Sequence, residues 1–168
     1  PSRYVAENLA LGDRVPVRGP FGDTYLRTDR PGPIVCIAGG SGLGQMRAIA
    51  AEALARGMDQ PIHLYFGARA ERDVYLEAEM QALQAQHLNF RFVPVLSEPD
   101  GASGRRTGLI ADALAADAPR LAVAYLAGPP PMVQAATETL TGLGVDPADI
   151  HADAFIGEAE RRVKEGEK

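Results

Sequence analysis

From residue 34 onward, short continuous apolar runs alternate with stretches of helical spacing, and this alternation constrains the fold more than any other feature. Five runs read as strands: Ile34 to Ala38, Ile62 to Phe66, Phe90 to Leu96, Ala122 to Ala127 and Ile150 to Phe155. Continuous rather than alternating apolarity is expected of a strand covered on both faces. Between the runs, apolar residues recur three and four positions apart. Leu43, Met46, Ala50, Ala53 and Leu54 share one helical face, and Gly57 is a plausible stop. Leu76, Met80 and Leu83 share a face in a helix expected over about 72–86, and a short helix is expected over 107–116. Val133, Ala136, Leu140 and Leu143 do the same over 130–143. The reading is an α/β fold: a five-stranded parallel sheet in the order 3-2-1-4-5, with helices on both faces.

The first thirty residues differ. Asp13 to Arg18 alternates like a strand, but Pro16 confines it to an edge. Gly19-Pro20-Phe21-Gly22 breaks it, and Arg30-Pro31-Gly32-Pro33 reads as a linker. The expected division is 1–28, then 29–156, then a highly charged tail over 157–168, read as a frayed helix. The 168 residues carry 22 acidic and 17 basic side chains, a net charge of −5 with no basic stripe, which argues against a nucleic-acid surface. No apolar run approaches the roughly 20 residues of a membrane span. A single cysteine, Cys36, leaves no internal disulfide, thiolate-held cluster or cysteine-rich zinc site in this chain. His63, His87 and His151 lie too far apart for metal-ligand spacing. The expectation is a cytoplasmic, metal-free domain that borrows a cofactor for any redox chemistry.

In doubly wound sheets, ligands bind beyond the C-terminal strand ends, so the turns there are the candidate site. After strand one comes Gly39-Gly40-Ser41-Gly42, followed by a helix. Glycines let a backbone approach a bound group, and a helix N-terminus favours an anion. A pyrophosphate suits this turn, with the Ser41 hydroxyl as an extra donor; the bland alternative is a tight strand–helix connection. The spacing is neither GxGxxG nor a phosphate loop. After strand two, Gly67-Ala68-Arg69 offers an arginine that can reach a phosphate, stack on an adenine, or merely pair with Glu71 or Asp73. After strand three, Ser97-Glu98 places an acid where it can accept from ribose hydroxyls or simply be solvated; Arg105 and Arg106 nearby oppose a negative site. After strand four, Gly128-Pro129-Pro130-Pro131-Met132 forms a stiff shelf suited to a planar ring. Asp153 and Phe155 follow in strand five, with Phe155 as a candidate cofactor contact or a core residue. Cys36 reads as a small buried apolar residue.

Taken in order, these turns resemble the nicotinamide-nucleotide domain of the ferredoxin–NADP reductase superfamily, in particular flavin-containing NADH reductase components of aromatic-ring oxygenases. The matching pieces are Gly19-Pro20-Phe21-Gly22, Ile37 to Leu43, Phe66 to Arg69 with Asp73 and Tyr75, Val95-Leu96-Ser97, Tyr125 to Pro130 with Met132, and Asp153-Ala154-Phe155. The resemblance implies that Gly40, Ser41 and Gly42 hold the dinucleotide pyrophosphate; Gly39, Gly67 and Arg69 are further candidates for the same cofactor site. It implies that Ser97 lies by the adenine ribose, and that Gly128, Pro129, Pro130 and Met132 lie beside the nicotinamide. Asp153 and Phe155 would lie near FAD. NADP-using members commonly follow the serine with an arginine; Glu98 stands there instead, so NADH is expected over NADPH. Hydride would pass from NADH to FAD, and then electrons to a ferredoxin or 2Fe–2S domain and an oxygenase component. Family members often carry a cysteine where Ala127 stands and Ala-Pro where Gly44-Gln45 stands. No Arg-x-Tyr-Ser flavin motif is present, so residues 1–28 read as the end of a flavin-binding barrel, and the chain as part of a longer reductase with its own upstream FAD domain. The rival from another class is a non-catalytic nucleotide-sensing or interaction domain derived from the same fold.

Overall fold

The computed structural model describes residues 2–19, 21–120 and 122–155. The charged tail expected over 157–168 lies outside them. One all-parallel sheet contains β1 (Ile34–Gly39), β2 (Ile62–Ala68), β3 (Phe90–Leu96), β4 (Arg106–Thr107), β5 (Val123–Gly128) and β6 (Ile150–Ala154), in the order β4-β3-β2-β1-β5-β6. The helices are α1 (Ser2–Asn8), α2 (Leu43–Ala55), α3 (Glu77–Gln86), α4 (Ile110–Asp117) and α5 (Pro130–Gly142). The five expected strands stand in the expected order, with one correction. The sheet has a sixth, two-residue strand, β4, which pairs with Val95 and Leu96 on the outer edge of β3. Arg106 and Thr107 make no apolar run, so hydrophobic patterning carries no trace of it.

Strand alternation divides the core into two faces. Ile34, Cys36 and Ala38 of β1, with Tyr125 and Ala127 of β5, pack against Leu43, Met46 and Ala50 of α2 and Met80 of α3. Val35 and Ile37, with Ala124 and Leu126, pack against Ile110 and Leu114 of α4 and Val133, Ala136 and Leu140 of α5. β1, β2 and β3 are thus linked by helices on one face, and β3, β5 and β6 by helices on the other. The chain direction across the sheet reverses between β1 and β5, which makes their C-terminal ends the switch point. Cys36 is fully buried, and burial pushes its thiol pKa up to about 12, in keeping with a packing role.

Local hydrogen bonds move two helix starts. The Asp73 carboxylate accepts from the Ala70 amide and closes a single 3₁₀ turn over Glu71–Asp73. Leu76 then adopts a left-handed φ of 56°, so α3 begins only at Glu77. Likewise Gly108, at φ +115°, separates β4 from α4, which begins at Ile110 instead of 107. Gly57 terminates α2 as expected: at φ +71° it lets its own amide reach Leu54 and the Met58 amide reach Ala53.

Residues 13–18 correct another expectation. They form no strand among the described residues, and Leu11, Val15 and Val17 are exposed. Further along, the Arg27 amide donates to the Tyr125 hydroxyl at 2.7 Å and Leu26 packs on the α2 face, which fastens this segment to the sheet.

Candidate functional site

A cleft of about 910 Å³ opens at the C-terminal ends of β1, β2, β3 and β5. Its volume falls in the range typical of small-molecule sites, roughly 300–1,000 Å³. Gly39, Gly40 and Ser41 line one side, with Pro129 and Met132 beside them. Gly67, Arg69 and Ser97 continue the wall outward along the sheet. The turn and the proline shelf, far apart in sequence, therefore share one cavity.

Close packing at the switch point explains the glycines. A Cβ on Gly39 would lie 2.6 Å from Met132 Sδ and 2.9 Å from Pro129 Cδ. One on Gly128 would lie 2.6 Å from Met132 Cε and 3.0 Å from the Gly39 amide nitrogen. The ends of β1 and β5 thus interlock beneath the Met132 side chain. Gly42 is different: it is buried, and a Cβ there would stand 2.1 Å from the Ala127 carbonyl oxygen. Its role is to let α2 start tight against β5. Gly40 meets the opposite condition. Its φ of +53° demands a glycine, and nothing lies within 4 Å of where its Cβ would point. No side chain caps α2 at Gly42; the Leu43 amide donates to the Gly40 and Ser41 carbonyls, and the first-turn amides beyond it, with the positive end of the helix dipole, favour an anion.

The remaining expected residues lie around the cleft, not in its wall. Gly128 is buried below it, and Pro130 sits behind Pro129 at the start of α5. Glu98 is exposed one residue beyond Ser97; its amide donates to the Arg69 carbonyl at 2.8 Å, which holds the two residues side by side. Asp153 and Phe155 stand at the end of β6, on the α2 side. Gln45 donates to the Asp153 carboxylate at 2.8 Å, and the Phe155 amide donates to the Gly128 carbonyl at 2.9 Å while its ring packs on the α2-face core.

Charge is distributed unevenly. Arg105 lies between Glu71 and Glu77, with contacts of 2.6 Å to each; hydrogen bonds from Ser103 and Arg105 hold the Glu71 carboxyl, and from Arg105 the Glu77 carboxyl, below the ordinary glutamate range. Arg106 pairs with Asp117 at 2.9 Å. Both basic residues that opposed a negative site are thus committed to carboxylates. Arg69, by contrast, is exposed at the cleft and makes no ion pair among the described residues, since Glu71 and Asp73 are engaged elsewhere.

Sequence reasoning missed part of the wall. Gly108, Leu109 and Ile110 line the cleft opposite Ser97, and Leu109 is 62 % exposed despite its apolar side chain. The available signal was Gly108 itself, a breaker inside an expected helix. Tyr75 also lines the cleft, its ring edge-on to Phe66 at 5.5 Å and its hydroxyl donating to the Gly40 carbonyl at 2.9 Å.

Fold and cleft together define a doubly wound domain with an anion-ready turn and a rigid shelf at one switch point. The oxidoreductase NAD-binding domain family matches residues 36–138, and the chain belongs to that family. The ferredoxin–NAD(P)(+) reductase component of the naphthalene 1,2-dioxygenase/salicylate 5-hydroxylase systems of Ralstonia sp. is 44 % identical over 156 residues, covering 92 % of this chain and 48 % of the relative. The ferredoxin–NAD(+) reductase component of the alkene monooxygenase system of Xanthobacter autotrophicus is 38 % identical over 162 residues, covering 89 % of this chain and 47 % of the relative. Among solved structures, the Amycolatopsis reductase GcoB superposes with a TM-score of 0.80 at 38 % identity, over 89 % of this chain and 46 % of that one. The chain spans about half the length of the curated relatives it matches.

Proposed function

We propose that this chain holds NADH for a flavin-dependent reductase that feeds electrons through a ferredoxin or 2Fe–2S centre to an oxygenase. The observation that carries the reading is the shared cavity: the Gly40–Ser41 turn and the Pro129–Met132 shelf line one cleft at the β1/β5 switch point. The first-turn amides of α2 beyond Leu43 and the Ser41 hydroxyl take the pyrophosphate, and Gly40 leaves the approach open. Pro129 and Met132 support the nicotinamide face. The adenosine half extends along the β2 and β3 ends, with its ribose at Ser97, Arg69 within reach of phosphate or adenine, and the exposed Leu109 as an apolar wall for the base. FAD, supplied by a separate flavin domain, accepts the hydride and passes electrons on singly. This chain contributes orientation: a fixed shelf, a fixed turn, and Asp153 and Phe155 at the adjoining rim where that domain would meet it. The reductase-component names of the relatives support this assignment.

NADH is the preferred form. Glu98 stands next to Ser97, and Arg105 and Arg106 are neutralised by Glu71, Glu77 and Asp117. A 2′-phosphate at Ser97 would meet the Glu98 carboxylate with Arg105 and Arg106 committed elsewhere, while Arg69, exposed in the same cleft, is taken up by the pyrophosphate or adenine. The relatives' names divide on this point, NAD(+) for the Xanthobacter component and NAD(P)(+) for the Ralstonia one, so the preference rests on the charges around Ser97. Calorimetric titration tests both points. NADH is expected to bind more tightly than NADPH, and Glu98→Arg to improve NADPH binding about tenfold, the order expected when one charge contact is reversed. Absence of binding of either nucleotide at millimolar concentration would defeat the reading; an unchanged preference in the variant would remove Glu98 from it.

A further inference from the structure

We propose that Tyr75 is a positioning residue that latches the Gly40 turn in its anion-binding shape. The inference rests on the dinucleotide reading and adds to it a control on the pyrophosphate subsite. The Gly40 carbonyl accepts from two donors, the Leu43 amide and the Tyr75 hydroxyl. A carbonyl has two lone pairs, so these two donors engage it fully and fix its direction. That orientation matters because a carbonyl turned toward a pyrophosphate would repel it, whereas the amides that follow attract it. Gly40 is the weak point of the turn. Its left-handed φ and open surroundings leave only hydrogen bonds to fix the peptide.

The latch is itself held in place. The Tyr75 ring packs edge-on against Phe66, which is 1 % exposed, while the ring's other side stays open to the cleft. Leu76, next in the chain, adopts φ 56°, a conformation that costs a leucine free energy and that ordinary helix continuation would avoid. This kink separates the Asp73-closed 3₁₀ turn from α3 and lets Tyr75 lie across the β1 turn instead of following the helix. Strain at Leu76 and the hydroxyl bond at Gly40 are thus two ends of one device.

Tyr75→Phe keeps the ring on Phe66 and removes only the donor. Affinities for NADH, ADP-ribose and AMP are to be measured by calorimetry or, for the weakest, by amide chemical shifts, with the thermal midpoint as a check on folding. The expected result is a loss of about three- to tenfold for NADH and ADP-ribose alike, the worth of one hydrogen bond. AMP, which lacks the pyrophosphate, keeps its affinity, and the Ser41 and Gly42 amide resonances shift in the ligand-free variant. A purely structural role would lower the midpoint and weaken all three ligands together, and that outcome overturns the proposal. So does an unchanged ADP-ribose affinity. If the unsubstituted chain binds none of the three, the dinucleotide reading itself falls, a result distinct from a variant that binds as well as its parent.

Discussion

At the residue scale, two neighbouring glycines do different work. Gly42 is required by packing, because a methyl group would strike the Ala127 carbonyl at 2.1 Å, and backbone cannot yield as a side-chain tip can. Gly40 is required by conformation and by access, with open space where its Cβ would be. The two alanine variants should therefore separate. Gly42→Ala is expected to force α2 off β5 and lower stability by about 2 kcal/mol or more, the range of overpacked cores. Gly40→Ala adds a left-handed strain of about 1 kcal/mol and places a methyl in the mouth of the cleft. It should remain folded yet lose NADH affinity out of proportion to its small stability change. Thermal melts paired with NADH titrations distinguish them: equal melting losses, or full NADH affinity in Gly40→Ala, would contradict this division of roles.

At the element scale, the loop between β3 and β4 is fastened by Arg105, which ties Glu71 of the 3₁₀ turn to Glu77 at the start of α3. Both glutamates have pKa values below the ordinary 4.5, chiefly through their hydrogen bonds to Ser103 and Arg105 for Glu71 and to Arg105 for Glu77. A carboxyl lowered by folding stabilises the native state above its unfolded value, and that contribution disappears as pH falls through the lower native one. The clamp should thus act at neutral pH and fail on acidification below about 4.5. Arg105→Gln is expected to melt below the parent at pH 7 and converge with it near pH 3, the difference staying small because the groups are partly exposed and screened by solvent. A gap independent of pH would mean that the arginine acts by packing alone. None of this clamp was legible in the sequence, because a run of charges does not reveal its partners. The sheet was legible, since burial on both faces writes itself as unbroken apolar runs such as Ile34 to Ala38. So was the shared end of the strands, which brought Gly40, Ser41, Ser97 and Pro129 to one cleft. The late start of α3 was hidden because its cause is a carboxylate–amide bond at Asp73 and a strained Leu76, and neither alters apolar spacing. The Leu109 wall was hidden because β4 has no hydrophobic signature to delay the start of the expected helix.

At the scale of the whole molecule, apolar surface is distributed unequally between the two parts of the chain. Both faces of the sheet close over a core in which no polar or charged residue is buried among the described residues. The segment before residue 26 has the opposite character: Leu11, Val15, Val17, Phe21 and Tyr25 are exposed, Val17 to 88 %. Residues 13–18 there form no strand among the described residues, and neighbouring exposed apolar side chains invite association. The flavin-domain reading gives this surface an occupant, the remaining strands of a barrel, and the relatives are about twice as long as this chain. Sedimentation at increasing concentration should then show the 168-residue chain self-associating, with binding of an apolar-surface dye. Replacing Leu11 and Val17 by aspartate should restore the monomer without altering NADH affinity, since neither residue lines the cleft. A polypeptide of the relatives' full length should be monomeric and dye-silent with its native sequence. A chain that stays monomeric and binds no dye at high concentration would show that this surface requires no partner, and the barrel assignment of residues 1–28 would lose its physical support.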